Sequence, residues 1–285
     1  MRLIIRFLCD STSDLTLELR ERYNITLLPF HIAFNEEEHL DGVDISPEDV
    51  YRFYDEGKGV PKTRPYTVDE AKAIMKPILD QGDDILAFCT SSKLSKSTQI
   101  LKEATSQLKA VDRVGIIDCE NASSGIALLL IEASKLINKG KSREEIEGAV
   151  AGYASRLKTT FIVDQLRYLQ RNGYCSSFLA MTKSVLNQHT AIVIENGELK
   201  AKESYRGKLD KAVMSFIEDL KDDLLKAKSD AIFITDSGIE DEIREKVIEV
   251  VKNLNHFEKI YVNQTGSAVS AYCGPQALGV AYLEG

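Results

Sequence analysis

Two stretches of the sequence carry more hydroxyl side chains than an ordinary helix start requires. Asp10-Ser11-Thr12-Ser13-Asp14 sets three hydroxyls between two carboxylates, and Thr90-Ser91-Ser92-Lys93-Leu94-Ser95 places four hydroxyls in six residues. One such group caps a helix by accepting a bond from a free first-turn N–H. A surplus can grip an anionic ligand, helped by the free amides and positive dipole end of an adjoining helix. Both runs follow apolar segments that read as strands, and open α/β sheets bind ligands just past the carboxyl ends of their strands. Ser11 in the first run, and Ser91, Ser92 and Ser95 in the second, are therefore candidate ligand contacts, while Ser13 or Asp14 has the plainer role of capping the next helix. A third polar segment, Pro61-Lys62-Thr63-Arg64-Pro65, offers a hydroxyl and cations between two prolines; its plain reading is a rigid linker.

Other motifs point away from common chemistries. Gly140-Lys141-Ser142 looks like the tail of a phosphate-binding loop, but Lys135 stands where that loop needs its first Gly, and the segment follows a helical pattern. It reads as a turn between two helices with Gly closing the first. Neither G-x-G-x-x-G nor G-x-S-x-G is present. His31, His39, His189 and His256 form no i,i+4 pair, and no His/Cys cluster has zinc spacing, so no metal and no cofactor is expected. An enzyme of acyl or phosphoryl transfer using Ser91 or Ser92 as nucleophile is the alternative to a binding role. It needs a base within reach, normally His, and no His follows within the next ninety residues.

The composition bounds the class. With 285 residues, 44% hydrophobic and 28% charged, the chain has the balance of a globular protein and enough length for two domains. A net charge of −8 opposes broad contact with a phosphate backbone, which excludes a general nucleic-acid binder. No apolar stretch reaches the roughly 18–20 residues of a membrane span. Met1 to Cys9 is broken by Arg6 and followed by Asp10, so it reads as a buried strand rather than a signal segment. The cysteines Cys9, Cys89, Cys119, Cys175 and Cys273 are scattered without a C-x-x-C pair, which suits a reducing cytoplasm.

The elements that must position the polar runs alternate through the first half. Leu3–Cys9, Ile25–Phe34, Ile85–Cys89 and Val114–Ile117 read as strands of a covered parallel sheet. Ser46-Pro47-Glu48-Asp49, Thr67 with Glu70, and Ser142 with Glu145 have the chemistry of helix starts. Asp41-Gly42-Val43-Asp44 reads as a turn toward the Ser46 cap. Past about residue 160 the pattern changes. Ala191–Ile194 and Leu199–Tyr205 flank Asn196-Gly197 as a hairpin. Helices over Leu209–Lys226 and Ile239–Asn253, and strands at Asp230–Thr235, Lys259–Val262 and Ala277–Tyr282, follow. Cys273-Gly274-Pro275 reads as a tight turn into the last strand. The expectation is an α/β protein with a parallel-sheet α/β domain over residues 1–160 and a two-layer α+β domain over 161–285.

In this order the segments resemble the DegV family of bacterial fatty-acid-binding proteins over nearly the whole chain. The resemblance is carried by Asp10-Ser11-Thr12-Ser13-Asp14-Leu15, Tyr23-Asn24-Ile25 with Pro29, Asp41-Gly42-Val43-Asp44-Ile45, Lys62-Thr63, Ser91-Ser92-Lys93-Leu94-Ser95, Arg206-Gly207-Lys208, and Gly274-Pro275 with Ala277-Leu278-Gly279. It implies two α/β domains enclosing one long-chain fatty acid, no catalysis by the chain itself, a cytoplasmic location, and, as in some members, presentation of the acyl carboxylate to a separate fatty acid kinase. Thr63 with Ser91 and Ser92 would then hold the carboxylate. Where the family usually has Gly-Gly-Arg-Ile-Ser this chain has Asn172-Gly173-Tyr174-Cys175-Ser176, and Tyr272 stands in place of the usual His. Ser95-Lys96-Ser97 replaces Ser-Gly-Thr, and Arg64 replaces a Ser beside Thr63. Lys62, Arg64 or Arg206 are the candidates to restore positive charge near the head group.

Overall fold

The computed structural model describes residues 4–172 and 187–285. Leu3 of the first expected strand, and Gly173 to Ser176 with Tyr174 and Cys175, lie outside the described residues. Along the first half run β1 (Ile5–Asp10), α1 (Leu17–Arg22), β2 (Ile25–Leu28), β3 (His31–Phe34), β4 (Glu37–Leu40), α2 (Pro47–Asp55), β5 (Lys62–Arg64), α3 (Val68–Asp80), β6 (Asp84–Cys89), α4 (Ser97–Gln107), β7 (Val114–Asp118), α5 (Ser124–Asn138) and α6 (Arg143–Ala154). The second half has β8 (Leu157–Val163), α7 (Arg167–Arg171), β9 (Gln188–Glu195), β10 (Glu198–Arg206), α8 (Leu209–Lys226), β11 (Ala227–Asp236), α9 (Asp241–Asn253), β12 (Ile260–Gln264), α10 (Ser267–Cys273) and β13 (Leu278–Glu284).

Strands β2-β1-β6-β7 form the parallel sheet, and β10-β9-β8-β13-β11-β12 a mixed one. Alternation along the parallel strands sorts their side chains between two faces. Leu8, Ile85 and Ala87 pack with Met75 of α3 and Leu101 of α4, while Phe7, Leu86 and Phe88 pack with α5 and Ile146 of α6. On the mixed sheet, Ile232, Ile234, Val280 and Tyr282 meet α8 and α9, and Phe233, Ala281 and Leu283 meet α5 from the other side. Helix α5 is buried from Ser124 to Ser134. An Ile-Ala-Leu-Leu-Leu-Ile run that is apolar all round has no solvent face to offer, so it forms the layer shared by both sheets.

The starts of α2, α3 and α6 are capping boxes on Ser46–Asp49, Thr67–Glu70 and Ser142–Glu145, so Gly140-Lys141-Ser142 is the turn between α5 and α6. Asn196 and Gly197 both have positive φ (52° and 77°) at the tip of the β9–β10 hairpin, as a type I′ turn needs.

Four expectations are corrected. Ile25–Phe34 is two strands, because Pro29 has no N–H to continue the ladder and β3 leaves for a separate β4-β3-β5 sheet. Lys62–Arg64 is a strand of that sheet rather than a linker, with Thr63 opposite Ile32. Thr16, not Ser13 or Asp14, caps α1 by accepting from Leu19 N; Asp14 is in the left-handed conformation (φ 51°), which turns its carboxylate toward Gly266 and Ser123 instead. A further helix, α10, precedes the Gly274 turn. Its Ser-Ala-Val-Ser-Ala-Tyr-Cys sequence is too short to show helical periodicity.

Candidate functional site

A cavity lies between the carboxyl ends of the parallel strands and the inner face of the mixed sheet. Leu94 and Ser95 come from the loop after β6, Ser123 and Ser124 from the start of α5, Thr160 and Phe161 from β8, Ile194 from β9, Leu278 and Val280 from β13, and Val269 and Tyr272 from α10. Its placement past strand ends follows from open-sheet topology.

The walls hold many hydroxyls, yet most spend their polar atoms on one another. Thr12 bonds Thr90, and Ser124 bonds Thr235, which in turn donates to Asn263 Oδ1. Thr160 donates to Ile192 O at 2.9 Å and Ser237 to Gly274 O at 2.6 Å. Paired in this way they show the cavity their carbon atoms, beside Leu94, Leu169, Phe161, Leu199 and Val280. Asp236 is held by Arg244 (Nε 2.6 Å, Nη2 3.0 Å) and by the amides of Gly238 and Ile239, so its charge is already matched. No lysine or arginine stands among the described residues that line the cavity.

One corner differs. Ser95 Oγ accepts from Ser97 N at 3.1 Å, next to the first turn of α4, and Tyr272 hydrogen-bonds Thr63 of β5. A serine oxygen that accepts still has a hydrogen to donate. In the Thr63–Tyr272 pair one hydroxyl donates to the other. Burial pushes the Tyr272 hydroxyl above its ordinary range, so it stays protonated at neutral pH. Hydroxyls of this kind are the chemistry that hydrogen-bonds a carboxylate.

The other expected contacts sit elsewhere. Ser91 is buried and donates to Gly197 O at 2.8 Å, seating the hairpin tip on the first half. Gly197 is required there, since a Cβ would come within 2.5 Å of Ser91 Oγ. Ser92 is exposed, with its amide on Asp118. Ser11 is buried and accepts from Phe30 N at 3.0 Å. Arg64 turns outward to Glu38 through two bonds of 2.8 Å and lies 3.1 Å from His31 Nδ1. Lys62 and Arg206 are exposed. Of the expected contacts, Ser95 and Tyr272 line the cavity and Thr63 bonds Tyr272, whereas Ser91, Ser92, Ser11 and Arg64 are not among the described lining residues. The wall hydroxyls Ser123, Ser124, Thr235 and Ser237 escaped the sequence reading, although Thr235 ends an expected strand, which was the available signal.

The first hydroxyl run is anchored by buried acids. Burial pushes Asp10 up to about 6, against the pull of the Thr90 amide and Tyr66 hydroxyl that it accepts. Burial likewise holds Asp14 well above the carboxylate range despite donors from Ser123 and Gly266. Among the described residues no group of His, Cys, Asp and Glu is arranged to hold a metal, and no helix is long and apolar enough to cross a membrane.

A family model described as "Uncharacterised protein, DegV family" matches residues 5–285. A DegV domain-containing protein of Clostridium perfringens is 28% identical over 280 residues, covering 98% of each chain. Among solved structures, a DegV family protein of Thermus thermophilus described for its fatty acid binding superposes with a TM-score of 0.90 at 24% identity, covering 100% of both chains. The fatty acid kinase B3 protein of Streptococcus pneumoniae, loaded with linoleic acid, gives 0.83 at 18% identity, covering 99% of this chain and 100% of its own.

Proposed function

The chain belongs to the DegV family, and on that premise we propose that it is a carrier holding one long-chain fatty acid in the cavity, its carboxylate at Ser95, Thr63 and Tyr272. The observation that carries this reading is a cavity walled by apolar side chains such as Leu94, Phe161, Leu169, Leu199 and Val280, with the hydroxyls of Ser95 and Tyr272 on its lining. A C16 chain burying some 15 methylenes at ~0.8 kcal/mol each gains ~12 kcal/mol before immobilisation costs. Hydrogen bonds to the charged head add about 1.5–3 kcal/mol each. The tail therefore supplies most of the affinity and the corner decides which end sits there.

The chain holds its ligand rather than transforming it. Of the two candidate nucleophiles, Ser91 has its hydrogen committed to Gly197 O and Ser92 is exposed and absent from the cavity lining, and the bound-lipid relatives are described by what they bind. By likeness to the pneumococcal kinase protein, the acid would be presented to a separate kinase subunit in the cytoplasm. The division near residue 160 belongs to the same proposal, with β8 onward forming the wall that closes over the ligand. The test is titration of lipid-stripped protein with palmitic acid. Thr63→Ala is expected to weaken binding about tenfold or more, the loss of one charge-assisted bond. Unchanged affinity in Thr63→Ala, Ser95→Ala and Tyr272→Phe alike would overturn the assignment of the head-group corner.

A further inference from the structure

Helix α10 lies between two strands of the mixed sheet in sequence, yet its polar contacts reach the other half of the molecule. Gly266 N donates to Asp14 at 2.7 Å and Ala268 N to Asp41 at 3.2 Å. Tyr51 of α2 donates to Ser270 Oγ at 3.0 Å. Its last turn has a specific deficit. A helical carbonyl expects the N–H four residues on. For Ala271 that position is Pro275, which has none. Ala271 is fully buried, so a carbonyl left bare there would be costly.

Two side chains meet the deficit. Tyr54 Oη donates to Ala271 O at 2.8 Å, and Asn172 Nδ2 reaches the same oxygen at 2.8 Å while also donating to Tyr54 Oη at 3.0 Å. Asn172 is itself tied to Tyr168 O at 3.0 Å. Burial pushes Tyr54 up to about 12, so it remains a donor across the neutral range. The Ala271 carbonyl belongs to the planar peptide unit whose nitrogen is that of Tyr272. Fixing the oxygen fixes the plane, and the plane sets the direction in which the Tyr272 ring leaves the helix toward Thr63.

Resting on the fatty-acid reading above, we infer that Asn172 and Tyr54 are positioning residues for Tyr272: they orient the 271–272 peptide and so aim the hydroxyl that recognises the ligand's head group. Neither is among the residues that line the cavity; both act through Tyr272. Their loss must then affect a charged head more than a neutral one, because hydrogen bonds to an ionised group are about twice as strong.

The experiment measures Kd for palmitic acid and for 1-hexadecanol with lipid-stripped wild type, Asn172→Ala, Tyr54→Phe and Thr63→Ala. Asn172→Ala and Tyr54→Phe are each expected to lower the preference for acid over alcohol by about threefold or more, the scale of one lost hydrogen bond. A role confined to holding the fold would weaken both ligands equally and leave the preference unchanged. If Thr63→Ala lowers the preference while Asn172→Ala and Tyr54→Phe leave it at the wild-type value, the inference is overturned. If wild type binds neither ligand, the fatty-acid reading itself fails. Tyr54→Phe removes a single oxygen atom, so the test stands even where Asn172→Ala does not fold.

Discussion

Replacing Asp10 by an asparagine probes the foundation of the site. The carboxyl is wholly buried, takes the Thr90 amide at 2.8 Å and the Tyr66 hydroxyl at 2.9 Å, and is raised by burial from an ordinary 3.8 to about 6. The folded chain therefore keeps a proton that the unfolded chain releases. That proton stabilises the fold fully below about pH 4, and the contribution is lost as pH rises through about 6. At about 1.4 kcal/mol per pH unit, the whole effect amounts to about 3 kcal/mol, of which about 2 kcal/mol falls between pH 4 and pH 7. The Asp10→Asn variant would carry no such dependence, since an amide side chain does not titrate. With its Oδ1 on the Thr90 amide and its NH2 toward the Tyr66 hydroxyl oxygen, any cost of the exchange is the same at every pH. Urea unfolding of both proteins at pH 4, 5, 6 and 7 cancels the other acids. The stability of wild type minus that of Asp10→Asn should fall by about 2 kcal/mol from pH 4 to pH 7. A difference that stays level, or grows with pH, would refute the burial argument.

Ser91→Ala and Arg64→Ala should leave the amount of co-purified lipid at the wild-type level, since Ser91 serves Gly197 and Arg64 serves Glu38; lipid lost from either variant would show a head-group role the geometry does not give it. Gly274→Ala should lower stability by about 3 kcal/mol or more, read as a drop in Tm. Its φ of 70° disfavours any side chain, and a Cβ would collide with the ring of Tyr168, which is 1% exposed and cannot yield.

The layers were legible in the sequence wherever one element buries one face. Leu209–Lys226 follows its apolar stripe, and the three capping boxes stand where their Ser/Thr and acid pairs announce them. The small β4-β3-β5 sheet was not legible, because β5 is three residues long between prolines and only its pairing with β3 makes it a strand. The position of the cavity was legible. Hydroxyl runs after strands marked the right end of the sheet, but four hydroxyls in one loop look alike in sequence. What separates Ser95 from Ser91 is Gly197, a distant residue in the chain, which claims one of them and leaves the other at the cavity. Asn172 entered the sequence reading only as part of a family element and Tyr54 not at all, since their role at the Ala271 carbonyl depends on α10, a helix the sequence did not show, packing against α2.

Organic extraction of the purified protein, with the extract quantified by mass spectrometry against protein concentration, reads the occupant of the cavity itself. A fatty acid near one per chain, falling sharply in Thr63→Ala, is the predicted result. Protein that carries no acyl chain, and takes none up when incubated with palmitic acid, would contradict the carrier.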